Sequence, residues 1–231
     1  ASWGIDPRRL LTLPMSIEPS EVTGGRGSRF RERYDIPADA ALIGQLGALD
    51  PNKGTLDLVC AVDEINRKRD EKNLVRLVLA GAPSPDFDTF LSERPESDRR
   101  WLSVLGPLPG DQVPDFYDAL DVFSMPSRTD SFGIVYLEAW ANAKPVVAAR
   151  AGGVVEVVKH EENGLMVPFG NVPALADALN RLIVDPALAR RLAQTGRDAV
   201  MREDATWDAR YKTFLERIFP LISDAKPALA S

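Results

Sequence analysis

The chain has 231 residues, with 45 % hydrophobic and 27 % charged side chains. That is enough apolar material for a buried core, and it excludes wholesale disorder. Acidic residues outnumber basic ones 34 to 28, for a net charge of −6. A net acidic surface repels phosphate backbones and argues against a nucleic-acid partner, while leaving room for one small anion in a local positive pocket. Cys60 is the single cysteine, so no internal disulfide can form, and His160 is the single histidine, so no His-rich metal site can form. No stretch approaches the ~18 apolar residues of a membrane helix, and no basic-then-apolar leader opens the chain. A cytoplasmic protein is expected.

Residues 1 to about 40 read as a leading segment broken by Pro7, Pro14, Pro19 and Pro37. Its run Thr23-Gly24-Gly25-Arg26-Gly27-Ser28-Arg29 is expected to be a mobile loop. From residue 41 short apolar runs alternate with segments of helical period. Strands are expected at 41–46, 74–81, 101–105, 121–125, 145–149 and 165–167. Helices are expected at 54–70, about 87–91, 113–120, 132–143, 154–159, 172–184, 186–200 and 205–219. Cys60 falls in the first of these helices and reads as a small buried apolar residue. Arg67, Lys68 and Arg69 suit that helix's C-terminal end. Asp185-Pro186 supplies an N-cap with proline at the first helical position.

Apolar strands alternating with helices predict an α/β fold: a Rossmann-like parallel sheet of six strands with helices on both faces. One domain is expected over 1–231, with its core at about 41–184 and C-terminal helices at about 186–220. Right-handed crossovers put every strand-to-helix loop on one sheet edge, where ligands bind. The loops to inspect are 47–54, 81–86, 106–112, 126–133 and 150–153.

The first loop runs Gly47-Ala48-Leu49-Asp50-Pro51-Asn52-Lys53-Gly54. Asn52 stands where a Walker A motif needs glycine, which excludes a P-loop. No Gly-x-Gly-x-x-Gly occurs, which weakens a dinucleotide site. Lys53 at a helix start is unfavourable for the helix unless an anion lies between them. A solvated surface lysine is the other reading. The fourth loop runs from Pro126 and Ser127 through Asp130 to Gly133 and into a helix carrying Glu138. Glu138 lies on or beside the apolar face, where a carboxylate needs donors. Ribose hydroxyls would supply them, as would an arginine or backbone N–H groups. Asp130 is either a cap or a site acid. Free N–H groups of 132–135 could hold a diphosphate. Gly152-Gly153 reads equally as a ligand approach or a tight turn, and His160 as a solvated turn residue.

The stretch Asp121–Pro168 resembles the retaining glycosyltransferases of family 4, which have the GT-B fold. The resemblance rests on Asp130-x7-Glu138, then Ala139-Trp140-Ala141-Asn142-Ala143-Lys144-Pro145-Val146-Val147, Gly152-Gly153 with Glu156, and Asn163-Gly164-Leu165. Leu13-Pro14-Met15-Ser16-Ile17 is similar to the family's segment leading into its second domain, and the likeness runs over about 3–215. The resemblance implies one half of a GT-B architecture, a donor site for a UDP-, GDP- or ADP-sugar, and retaining transfer without a metal or other cofactor. Glu138 would hold the ribose. Lys53 and the backbone at Phe132, Gly133 and Ile134 would hold the diphosphate, with Gly47 and Ser127 beside it. Asp130 would sit near the sugar as a catalytic residue with Lys53. Leu105 and Leu108 would line the base.

Three departures stand out. Ala48 occupies the place of an arginine that usually pairs with the lysine on the diphosphate, a strong kind of contact. Arg128 and Arg150 are candidates to replace it. The first acid is aspartate rather than glutamate. The family also has two Rossmann-like domains and nearly twice this length. The chain is therefore expected to be the donor-binding half, inactive alone. Its partner would be an N-terminal acceptor-binding domain in cis or in trans, the sole route to any peripheral membrane contact. A degenerate nucleotide-binding or scaffold module and a hydrolase or epimerase of the same fold are the competing functions.

Overall fold

In strand β2 (Arg76–Ala80), Leu77 and Leu79 face one core while Val78 and Ala80 face the other. The same alternation holds in β1 (Leu42–Leu46), β4 (Val122–Ser124), β5 (Val146–Ala149) and β6 (Leu165–Val167). A strand with apolar residues on both faces must be covered twice, which is why these runs carry so few charges. The computed structural model describes residues 13–202 and 205–223. Pro7 and the rest of 1–12, and the end of the expected domain at 224–231, lie outside the described residues.

All six strands are parallel, in the order β3-β2-β1-β4-β5-β6, with β3 at Leu102–Leu105. This is a Rossmann-like order, and it reverses between β1 and β4. One face carries α2 (Gly27–Arg33), α5 (Val113–Ala119) and α6 (Ile134–Ala141), which bury Phe30, Phe116, Tyr117, Tyr136 and Trp140. The other carries α3 (Thr55–Asn66), α4 (Pro85–Ser92) and α8 (Val172–Val184). The helix α9 (Pro186–Val200) starts where expected. Asp185 accepts from the Ala187 and Leu188 N–H groups at 3.1 and 3.0 Å. Short α7 (Val154–Val157) and long α10 (Trp207–Ser223) complete the fold with α1 (Pro19–Val22). Among the described residues no helix is long and apolar enough to cross a membrane.

Two expectations need correction. The stretch Thr23–Arg29 is anchored rather than mobile. Asp115 Oδ1 accepts from the Arg26 N–H and Asp118 Oδ2 from the Gly27 N–H, each at 2.7 Å. Asp115 also receives the Arg29 guanidinium. Gly25 and Gly27 let this segment lie directly on the α5 backbone, where a Cβ would come within 2.1 and 2.6 Å of main-chain atoms. Cys60 is half-buried rather than buried, because Arg94 lies over it with Nη2 3.6 Å from Sγ. Burial pushes its thiol above the ordinary value, and Arg94 opposes this.

Candidate functional site

The chain builds outward from β1 to β3, then returns to lay β4 on the opposite side of β1. The loops leaving β1 and β4 therefore border one crevice at the carboxyl edge of the sheet. In the first loop Asp50 accepts the Lys53 N–H at 2.8 Å and caps a single 3-10 turn, Pro51–Lys53. Gly54 follows in the left-handed region, with φ of 69°. A Cβ there would lie 2.1 Å from the Pro126 carbonyl oxygen. The Arg128 N–H donates to the Asn52 carbonyl at 2.7 Å. These contacts clamp the two loops together.

Lys53 thus stands just before α3, at its start as expected, and ends the 3-10 turn. Its Nζ crosses the crevice to Asp130 Oδ2 at 3.0 Å. The two residues read as catalytic are an ion pair, with side-chain exposures of 30 % and 12 %. Asp130 Oδ1 also accepts the Phe132 N–H at 3.4 Å, so it is part cap and part ion-pair partner. Its carbonyl accepts the Gly153 N–H at 2.8 Å. Gly152 and Gly153 lie on the backbone of Asp130 and Ser131, where a Cβ would meet carbonyl oxygens at 2.4 and 2.0 Å. Close packing accounts for this glycine pair, and it holds Asp130 in place.

Helix α6 begins after Gly133, whose φ is 89°. A Cβ there would strike the Tyr136 ring at 2.6 Å. The Tyr136 N–H returns to the Gly133 carbonyl at 3.1 Å. The N–H groups of Gly133, Ile134 and Val135 have no acceptor among the described residues. They are the orphan donors of a helix start, at the positive end of its dipole. Phe132 is different, because its N–H is already engaged by Asp130.

One turn further on, Glu138 is half-buried. Its Oε2 accepts the Tyr117 O–H at 2.6 Å, and its Oε1 has no donor among the described residues. Burial raises the Glu138 pKa above the ordinary carboxylate value, and the Tyr117 hydrogen bond opposes the rise. Burial and the Glu138 charge push Tyr117 well above its own ordinary value. Neither an arginine nor a backbone N–H satisfies Glu138. A tyrosine does, and sequence reasoning missed it. The signal was present: a tyrosine on the buried face of a short helix needs an acceptor for its hydroxyl.

Gly47 closes β1, with its N–H on the Ala80 carbonyl at 2.9 Å. Leu105 and Leu108 end the β3 edge, partly buried against the core that holds Tyr117 and Tyr136. Ser127 departs from the expectation of a binding residue. It is 1 % exposed, and its N–H and Oγ donate to the Met125 carbonyl at 2.7 and 3.5 Å. Ala48 is exposed and supplies no charge. Arg128 and Arg150 are exposed and form no ion pair among the described residues. His160 is exposed and ties its turn to β6, with Nδ1 accepting the Met166 N–H at 3.0 Å.

A parallel sheet reversing at β1/β4, with a lysine and an open helix start on the reversal, defines a Rossmann-like domain of the kind that forms half of a GT-B glycosyltransferase. Residues 28–199 match the family Glycosyl transferases group 1, and the chain belongs to it. It is 33 % identical over 202 residues to a D-inositol 3-phosphate glycosyltransferase of Acidothermus cellulolyticus, covering 83 % of this chain and 44 % of the relative. The chain thus spans about half the length of such relatives. The C-terminal domain of LpcC, a glycosyl transferase group 1 family protein of Francisella tularensis, superposes with a TM-score of 0.71 at 26 % identity. That alignment covers 81 % of this chain and 98 % of the other. Anabaena HepE, solved in complex with UDP, superposes with a TM-score of 0.79 at 22 % identity, over 90 % of this chain and 57 % of that one. At that identity the likeness concerns the fold.

Proposed function

We propose that this chain is the donor-binding domain of a retaining glycosyltransferase, and that it holds a nucleotide diphosphate sugar in the β1/β4 crevice. The observation that carries the reading is the open start of α6 facing Lys53, with the free Oε1 of Glu138 one turn away. The diphosphate lies on the N–H groups of Gly133, Ile134 and Val135, and Lys53 reaches it from across the crevice. Glu138 takes the ribose hydroxyls, and Leu105 and Leu108 face the base. The binding of UDP by HepE, a protein of this fold, supports the ligand class. The retaining outcome rests on the Asp130-x7-Glu138 resemblance. No metal ion enters this reading, and a cytoplasmic setting fits the single thiol.

Catalysis in such a site is the stabilisation of charge that develops on the departing diphosphate. Lys53 must leave Asp130 for that role. A part-exposed ion pair contributes about 0–1 kcal/mol. A charge-assisted hydrogen bond to an oxyanion contributes about 1.5–3 kcal/mol. The lysine therefore transfers to the ligand, and Asp130 keeps it in register until the ligand arrives. Freed of Lys53, Asp130 faces the donor sugar. Acceptor binding and transfer belong to a second domain.

Calorimetric titration with UDP, GDP and ADP tests the reading. At least one binds at or below millimolar concentration, and Lys53→Ala weakens it about ten- to a hundredfold, in line with a lost charge-assisted contact. Absence of binding by all three at millimolar ligand would overturn the donor site. It would favour a scaffold module, a second reading to which the neutral Ala48 lends weight.

A further inference from the structure

Tyr117 lies on α5, outside every loop that borders the crevice. Its ring is fully buried between Phe116 and Phe123, with centroids at 5.3 and 5.6 Å. A ring wedged in this way leaves its hydroxyl one position. The hydroxyl has one proton and two acceptors within reach, Glu138 Oε2 at 2.6 Å and the Val135 carbonyl at 3.4 Å. The short contact has the length of an O–H donating to a carboxylate. The proton therefore goes to Glu138.

We propose that Tyr117 is a positioning residue for ribose recognition: it holds Glu138 Oε2 so that Oε1 is presented, ionised, to a sugar hydroxyl. This rests on the donor-site reading given above. A glutamate on a helix has three rotatable bonds and in water samples many rotamers. Here one oxygen is fixed by a rigid phenol, so the cost of ordering the other is met before a ligand arrives. The same contact favours the charged form of a carboxyl that burial pushes towards neutrality. Among the described residues Tyr117 is the titratable group in hydrogen-bond contact with Glu138.

Tyr117→Phe keeps the buried ring and removes only the hydroxyl. Calorimetry would compare UDP, GDP and ADP with their 2′,3′-dideoxy counterparts, for the wild type, Tyr117→Phe and Glu138→Gln. The Phe variant is expected to lose about tenfold in affinity for the ribose form that binds. Its affinity for the dideoxy form should stay within about twofold, because a contact that is never made cannot be lost. Wild-type affinity for the ribose form should fall on acidification as Glu138 takes up a proton, and in Tyr117→Phe this fall should start at higher pH. The dideoxy form carries the same diphosphate and so removes that group's own titration from the comparison. Equal losses for both ligand forms would make Tyr117 a structural residue and overturn the inference. A loss in Glu138→Gln with none in Tyr117→Phe would overturn it and leave the donor site standing. Tight nucleotide binding unchanged by either substitution would remove Glu138 from the ribose, and the inference with it. The wild-type pH profile serves alone if the Phe variant does not fold, since an acid limb shared by ribose and dideoxy forms refutes a ribose-reading carboxylate.

Discussion

The helices α2 and α6 begin in similar ways. Each follows a loop containing glycine, and neither receives a side-chain bond from its own cap residue. The donors at the two ends meet different surroundings. At α2, the Arg26 and Gly27 N–H groups are closed by the carboxylates of Asp115 and Asp118 at 2.7 Å. At α6, the N–H groups of Gly133, Ile134 and Val135 have no acceptor among the described residues, and the nearby carboxylate of Asp130 is turned to Lys53. A helix start attracts an anion only where the chain has not already supplied one. Glycine content alone does not separate the two cases, because a Cβ would be crowded in both: against the α5 backbone at Gly25 and Gly27, and against the Tyr136 ring at Gly133.

The contrast breaks most sharply at Gly54, the contact that clamps the α6 loop to Lys53. Gly54→Ala drives a methyl into the Pro126 carbonyl and forces a left-handed backbone on an L residue. Strain and overpacking together should cost about 2–5 kcal/mol in chemical denaturation, with nucleotide binding lost. A loss below about 1 kcal/mol would show that the loops are not clamped there. Asp115→Ala is the counterpart at α2. It orphans the Arg26 N–H and releases the exposed Arg29, for an expected loss of about 1–3 kcal/mol. Nucleotide affinity of the folded variant should not change. Burial alone would raise the Asp115 pKa, but the Arg26 N–H and the Arg29 guanidinium outweigh it and hold the carboxyl below its ordinary value. A lowered carboxyl contributes stability that is present above its unfolded pKa and disappears as pH falls through the folded one. The acid limb of the stability curve should therefore be shallower in Asp115→Ala.

Much of this arrangement was legible in advance, for a physical reason. The strands are apolar on both faces, so Leu165–Val167 and the helices at 172–184 and 186–200 stand out from their neighbours. Strand order was not legible, because pairing β1 with β4 across some 75 residues leaves no local trace. Lys53 does stand at a helix start, one residue ahead of α3, but the 3-10 turn that it ends is not evident from the helical period. Asp50-Pro51 carries the same cap-then-proline signal as Asp185-Pro186, and in both places the aspartate caps the turn that follows. The anchoring of Thr23–Arg29 depends on two aspartates about 90 positions away, and no local rule reports them. Tyr117 and Glu138 stand 21 positions apart on separate helices, so the need of a buried tyrosine for an acceptor was legible but the identity of that acceptor was not.

The finest test of the contrast adds charge to the open end instead of removing it. Ala48 follows Gly47 and is exposed, and the ammonium of Lys53 is paired with Asp130. The net positive potential there comes mainly from the α6 helix start, which amounts to about half an elementary charge. Ala48→Arg brings a full charge to the loop after β1. A guanidinium contact with a diphosphate contributes about 1.5–3 kcal/mol, and ordering the side chain costs about 1–2 kcal/mol. A net of about 1 kcal/mol corresponds to roughly fivefold tighter binding of the preferred nucleoside diphosphate. The gain should shrink as salt rises, be absent for the nucleoside without phosphate, and leave the thermal midpoint nearly unchanged. The α2 end has no place for such a ligand, since Asp115 and Asp118 already close its N–H groups and Arg29 is paired with Asp115. Equal affinities for Ala48→Arg and the wild type at low salt would mean that the loop after β1 does not face the diphosphate, and that Lys53 pairs with Asp130 for stability alone.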